Sequence, residues 1–261
     1  MARRKAPKAT IISLANQKGG VAKTTSTLNL AVALSEMGHR VLCVDLDPQG
    51  NLTMSQGIDP DKCEKSMYDV LVSDLPISEV IAHREIDIAV ASIDLAGAEI
   101  AMSTKIGRER SLENALKEVH SEYDYICIDT PPSLGLLTIN ALTASSKVIV
   151  PVQCEYLALE GVSQVLSTID LIRRSLNPGL ELLGVLMTMY DGRTRLSAHV
   201  VDEVRRFFPD HLFAAVIPRS VRLAEAPSFG QVISEYDPSS RGATAYVEVA
   251  TELRSRLAAT S

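Results

Sequence analysis

The chain has 261 residues, 46% of them hydrophobic, and carries 26 Lys and Arg against 32 Asp and Glu for a net charge of −6. That length and apolar content suffice for one large core, while the negative balance excludes a protein that coats nucleic acid by bulk electrostatics, so any DNA contact must be local. No apolar run approaches the ~18 residues of a membrane span, and the basic start MARRKAPKAT lacks the apolar middle of a signal peptide, so a cytoplasmic protein is expected.

Residues 1–8 read as a flexible basic tail and residues 9–261 as a single domain. From there short β-branched runs alternate with longer segments of helical period, the pattern of a mostly parallel sheet with helices on both faces. The predicted strands are ATIISLAN (9–16), RVLCVDLD (40–47), IDIAVA (86–91), YDYICIDT (123–130), KVIVPVQ (147–153), LLGVLMTMY (182–190) and HLFAAVIP (211–218). A helix is predicted over 23–37, closed by Gly38, and another over 158–176, stopped by Asn177-Pro178-Gly179. The last segment, TAYVEVATELRSRLAA, puts Tyr246, Val249, Ala250, Leu253 and Leu257 on one face, as in a helix docked on the surface. Cys43, Cys63, Cys127 and Cys154 are widely spaced without a C-x-x-C, and three lie in apolar runs, so buried thiols are expected instead of disulfides or metal ligands.

Chemistry concentrates at the ends of three predicted strands. NQKGGVAKTT (16–25) follows the first, and a strand, a Gly-rich turn and Lys-Thr opening a helix together describe a phosphate-binding P-loop. In that reading Lys23 reaches the β- and γ-phosphates, the Thr24 hydroxyl ligates Mg²⁺ and Thr25 adds a phosphate contact. The pattern G-x-x-x-x-G-K-[ST] has Gln17 and Ala22 at its glycine positions, and Ala22, entering the helix, is expected to keep a negative φ. YICIDTPPS ends in Asp129, placed as a carboxylate for the Mg²⁺ shell. VLCVDLDPQGN carries Asp45 and Asp47 at alternate positions. In an open α/β sheet these three ends converge.

The segments NQKGGVAKTT, VDLDPQGN, YDYICIDTPPSLGLLTINAL, VPVQCEYLALEG, TMYDGRT and VIPRSVRLAEAPSFG resemble, in order, those of the ParA/Soj branch of the deviant-Walker (SIMIBI-type) ATPases. The resemblance implies ATP and Mg²⁺ as cofactors, slow hydrolysis and a site drawn from Lys18, Gly19, Gly20, Val21, Ala22, Lys23, Thr24 and Thr25, with Pro218 near the adenine. It gives Lys18 to the phosphates held by the other subunit of an ATP-dependent homodimer, Asp47 to orienting the attacking water and supporting the metal, Asp45 to a neighbouring support, and Thr24 and Asp129 to Mg²⁺. Gly19 and Gly20 would let two loops approach, and a side chain at Gly19 would block dimerisation.

Residues 193–241 hold seven arginines against six acidic residues, so composition does not reveal DNA binding. The resemblance points to Arg193 and Arg222 as contacts to double-stranded DNA without sequence preference, with Arg195, Arg219 and Arg241 as neighbours; the alternative is surface pairing to residues such as Glu225 or Asp202. It further implies a nucleoid-associated partitioning switch stimulated by a ParB-type centromere-binding partner. A MinD-like membrane switch would need an amphipathic anchor that LRSRLAATS hardly supplies. A nitrogenase-iron-protein-like reductase would need loop cysteines, whereas Cys127 sits mid-strand. An amide-forming ligase is the remaining metabolic reading.

Overall fold

A computed structural model describes residues 8–155 and 158–259 of the chain. The tail read at residues 1–8 therefore lies outside the described residues, apart from Lys8. Seven strands, β1 (Thr10–Leu14), β2 (Val41–Asp45), β3 (Ile81–Ala82), β4 (Asp87–Ala89), β5 (Tyr125–Asp129), β6 (Lys147–Gln153) and β7 (Glu181–Thr188), form one sheet in the order β3-β4-β2-β5-β1-β6-β7. All pairings are parallel except β3 with β4. Around it pack α1 (Lys23–Glu36), α2 (Asn51–Met54), α3 (Met67–Ser73), α4 (Ala98–Ala101), α5 (Ser111–Val119), α6 (Leu136–Ala144), α7 (Ala158–Ser175), α8 (Arg195–Phe207), α9 (Val221–Glu225), α10 (Ile233–Tyr236) and α11 (Arg241–Ala259).

Strands covered on both faces have little use for polar alternation, and β2 is buried at all five positions. On the outer side of β6 and β7, Val148, Val150, Val185 and Met187 pack with Ile169 and Ile172 of α7 and Val200 and Val204 of α8. α1 stops as its sequence requires: Gly38, at φ +89, donates to the Ser35 carbonyl at 2.8 Å, and His39 reaches back to Leu34. α11 buries Tyr246, Val249, Ala250 and Leu253, with Leu257 partly buried, so its apolar face is occupied inside the protein. Cys43, Cys127 and Cys154 are buried free thiols and Cys63 is half-buried and free. No helix among the described residues is long and apolar enough to cross a membrane.

The segment 211–218 is not a strand. It meets β7 and the residues after it in isolated bridges, Val185 with Leu212 and Tyr190 with Pro218, and in a hydrogen bond from Ile217 N to the Met187 carbonyl at 2.9 Å. Between them Glu252 of α11 captures the ladder donors: its carboxylate accepts from Ala214 N at 2.9 Å and Ala215 N at 3.2 Å. Arg256, one turn on, donates to the carbonyls of Leu183 at 3.0 Å and Leu212 at 2.6 Å while its guanidinium stacks over Phe213, 4.3 Å from the ring centroid. β3, two residues long, was too short for a periodicity to reveal.

α11 is tied to α1 by a buried contact between the Tyr246 and Ser26 hydroxyls, 3.1 Å apart. Tyr246→Phe leaves the packing intact and strands the Ser26 hydroxyl, so urea unfolding should show a loss of about 1 kcal/mol; an unchanged midpoint would mean that the contact contributes nothing.

Candidate functional site: a phosphate loop over two buried carboxylates

The parallel register sets the site. Leu14 of β1 lies beside Asp129 of β5, and Asp129 beside Asp45 of β2, so both carboxylates sit at one height where β1 turns into the Gly-rich loop. Both are fully buried. Asp129 Oδ2 accepts from the Thr24 hydroxyl at 2.6 Å and Oδ1 from the Thr27 hydroxyl at 3.3 Å, which locks the first turn of α1 onto β5. Asp45 Oδ2 accepts from the Thr53 amide at 2.9 Å and hydroxyl at 2.8 Å, and Oδ1 from the Asp47 amide at 3.1 Å. Asp45 is thus saturated and positions the chain that presents Asp47.

Lys23 is 7% exposed, and its Nζ donates to the Lys18 carbonyl at 3.3 Å. Burial lowers its pKa, opposed by the charges of Asp129 and Asp47. Burial likewise pushes Asp129 up, helped by the charge of Asp45 and opposed by the Thr24 hydrogen bond and Lys23. Asp45 is raised by the same burial, against its hydrogen bonds from Thr53. One ammonium feels Asp129 and Asp47 here, with Asp45 beside Asp129, and an incoming cation would relieve the excess.

A cavity of about 600 Å³ opens above, lined by Gly19, Gly20, Ala22, Lys23, Thr24, Thr25 and Asp47 among others. Asp47 Oδ1 accepts from the Gln49 amide at 3.0 Å, while Oδ2 has no hydrogen-bond partner among the described residues. A second cavity of about 340 Å³ shares Ala22, Thr25, Met189 and Leu223 and adds Ile217 and Pro218, an apolar slot beside the loop that suits a planar ring. No group of three or more His, Cys, Asp or Glu among the described residues could hold a metal unaided. The hard oxygens of Thr24, Asp129 and Asp47 fit Mg²⁺, which takes few protein ligands and completes its shell from phosphate and water.

Three expected residues sit apart from the cavity. The Val21 side chain is buried, so only its backbone faces the loop. Asp129 lies beneath Thr24. Lys18 turns away: its ammonium is 3.7 Å from Glu155 Oε2 and half exposed. Ala22 corrects the sequence expectation, because it adopts φ 62, ψ 35 in the left-handed region. Met189, across the same cavities, is left-handed too, at φ 53. Both are non-glycine residues held in a conformation that costs about 1–2 kcal/mol. The loop imposes it, since the Ala22 carbonyl must accept from Ser26 N at 3.0 Å while the preceding Val21 carbonyl accepts from the Thr188 hydroxyl at 3.1 Å.

Sequence reading missed Thr53, Thr188, Met189 and Asn16. Asn16 is 3% exposed; it donates to the Pro151 carbonyl at 2.8 Å and accepts from Lys18 N at 3.0 Å, fastening the loop to β6. Asn16 and Thr188 act across more than 100 residues and Met189 at one dihedral angle, and Thr53 reaches back eight residues to Asp45, which no local pattern announces.

The five arginines lie exposed around the loops after β7 and at the start of α9 and α11. Arg193 forks onto Asp191, with Nε to Oδ1 at 2.9 Å and Nη2 to Oδ2 at 2.8 Å, and this holds the Asp191 carboxyl well below its usual range. Arg222 lies 3.5 Å from Glu225 and 3.7 Å from Asp237. Arg219 is drawn beside Asp191 by its amide, which donates to the Tyr190 carbonyl at 2.9 Å. Arg195, Arg219 and Arg241 make no ion pair within 4.0 Å among the described residues.

Two measurements test this geometry. Asp129 is raised above the ~4 of an unfolded carboxylate, so the folded chain holds a proton that the unfolded chain has lost, and stability falls as pH climbs from about 4 toward neutrality. Across that window without nucleotide, Asp129→Asn should gain on the wild-type chain by on the order of 1–3 kcal/mol in urea unfolding; a pH-independent difference contradicts the raised carboxyl. Ala22→Gly should raise stability by roughly 0.5–1 kcal/mol by removing the Cβ penalty, and a loss in thermal unfolding would refute the strain.

A family model described as an AAA domain matches residues 9–182. The sporulation initiation inhibitor protein Soj of Bacillus subtilis is 52% identical over 246 residues, which cover 93% of this chain and 97% of that protein. The chromosome partitioning protein ParA of Myxococcus xanthus is 47% identical, covering 94% and 88%. A solved structure described as cobyrinic acid a,c-diamide synthase from Mycobacterium smegmatis with bound ADP and magnesium superposes with a TM-score of 0.86 at 43% identity over 97% of each chain. With its P-loop fold and this similarity along nearly its whole length, the chain belongs to the ParA/Soj family of chromosome-partitioning ATPases.

Proposed function

We propose that this protein is an ATP-dependent DNA-partitioning switch: ATP binding drives a sandwich homodimer that holds double-stranded DNA without sequence preference, and hydrolysis, stimulated by a ParB-type partner, releases it. The observation that supports this reading is the division between the two lysines of one loop. Lys23 is buried at the floor of the phosphate cavity, whereas Lys18 stands at the rim, half exposed and directed away from it. A lysine so placed can serve a triphosphate in a facing subunit better than one in its own.

Successive loop amides and the N-terminus of α1 bind the phosphates, with Lys23 on the β- and γ-phosphates and Thr25 beside them. Thr24, with Asp129 behind it, and Asp47 hold Mg²⁺, which supplies charge neutralisation at the phosphates. The free oxygen of Asp47 orients a water against the γ-phosphorus. The adenine occupies the apolar slot at Pro218. Lys18 from the second subunit neutralises charge that two opposed ATP faces would otherwise set against each other, so the dimer depends on the γ-phosphate. Gly19 leaves room for the approach: a Cβ there would meet only Pro132 Cβ, at 3.9 Å. DNA phosphates would compete for Arg193 and Arg222 against exposed ion pairs weakened by solvent screening, alongside Arg195, Arg219 and Arg241, and dimerisation would double the patch.

The test is sedimentation on a nonspecific duplex with ATP, ADP or no nucleotide. Retention is expected with ATP alone and should weaken steeply with salt. Lys18→Ala and Gly19→Val should bind ATP normally as monomers yet lose ATP-dependent dimers and DNA retention. Retention independent of nucleotide, or dimers formed by Lys18→Ala, would refute the switch. An amide-forming reading, raised by the name of the Mycobacterium smegmatis structure, is separated by hydrolysis to ADP and phosphate with no amine or carboxylic acid present.

A further inference from the structure

The pairing of Lys18 with Glu155 gives the rim lysine a second state. Glu155 follows the C-terminal end of β6, and its backbone amide donates to the Gln153 carbonyl at 2.8 Å, which folds the chain back on itself there. Its carboxylate is held at both oxygens: Oε1 accepts from Gln153 Nε2 at 2.6 Å, and Oε2 faces the Lys18 ammonium at 3.7 Å. The backbone of Lys18 is fastened to the same strand through Asn16, which bonds Lys18 N and the Pro151 carbonyl. Lys18 thus has a rigid base on β6, with an acidic neighbour at the tip of its reach.

We propose that Glu155 is a positioning residue that holds the Lys18 ammonium on its own subunit and competes with triphosphate for it, so that it sets the protein concentration at which ATP dimers form. This rests on the reading of Lys18 as a contact between subunits. A symmetric dimer must open two such pairs. Each pair is solvent-exposed on both sides, with side chains 46% and 51% accessible, so it is weak. Its contribution enters twice, and two contributions of ~0.2–1 kcal/mol each amount to roughly a two- to thirty-fold change in the dimer dissociation constant. Weakness suits the role, because a strong pair would hold the lysine against any phosphate. Both partners are exposed, so salt screens the restraint.

The experiment measures ATP-Mg²⁺-induced dimerisation of the full chain by sedimentation velocity over a protein dilution series. Glu155→Gln should dimerise at a two- to thirty-fold lower concentration than wild type at low salt, and the gap should close as salt is raised. Glu155→Asp, which keeps the charge, should stay near wild type, and Gln153→Ala, which removes the brace, should shift in the direction of Glu155→Gln by a smaller factor. Binding of a fluorescent ATP analogue to the monomer and thermal unfolding should be unchanged in Glu155→Gln, which separates positioning from folding. An equal or higher dimerisation midpoint in Glu155→Gln, or a gap indifferent to salt, overturns the proposal. Lys18→Ala run in parallel distinguishes the two failures: loss of dimers there with no shift in Glu155→Gln removes the role of Glu155 alone, whereas dimers in Lys18→Ala remove the contact between subunits and Glu155 with it.

Discussion

The site depends on a charge imbalance created by strand register. Because β2 and β5 pair in parallel with Asp45 beside Asp129, two buried carboxylates share one height, and Asp47 stands close by with a single buried ammonium among them. Charges removed from water in such numbers are tolerated only when neutralised or protonated. The Asp45 and Asp129 carboxyls are raised accordingly, chiefly by burial. In the proposed function a divalent cation bound with a polyanion would resolve the excess, the metal answering the carboxylates and the loop amides with Lys23 the phosphates.

The strained positions belong to the same economy. Ala22 and Met189 flank both cavities in left-handed conformations, and the structure around each, through the Val21 carbonyl on Thr188 and the Tyr190 amide on Ile217, fixes the backbone from both sides. A loop held in this way presents its N–H groups before any ligand arrives.

Much of this was legible in the sequence because it is written in local patterns. β6 has the boundaries that its apolar run suggests, α1 begins at the predicted lysine, and α11 buries the stripe that the 3.6-residue period picks out. The convergence of Lys23, Thr24 and Asp47 at one cavity and Asp129 beneath it followed from strands that all end at one edge. What was hidden depends on partners distant in sequence or on single dihedral angles. The negative φ expected of Ala22 is right for a residue inside a helix and wrong for one at the turn before it. The apolar run 211–218 reads as a strand because its composition is that of one, but a carboxylate 38 residues away takes its amides. Pairing partners for Arg193 and Arg222 were foreseeable only as a class, since charge counts do not say which carboxylate a guanidinium meets.

That same carboxylate has a consequence for how copies of the chain can associate. With Glu252 closing the ladder donors beside β7, and β3 only two residues long at the opposite border, neither margin of the sheet, among the described residues, offers a run of free amides and carbonyls onto which a neighbouring strand could zip. Continuous cross-chain sheets are thereby closed off at both ends. Contact between copies is then left to surfaces built from loops and side chains.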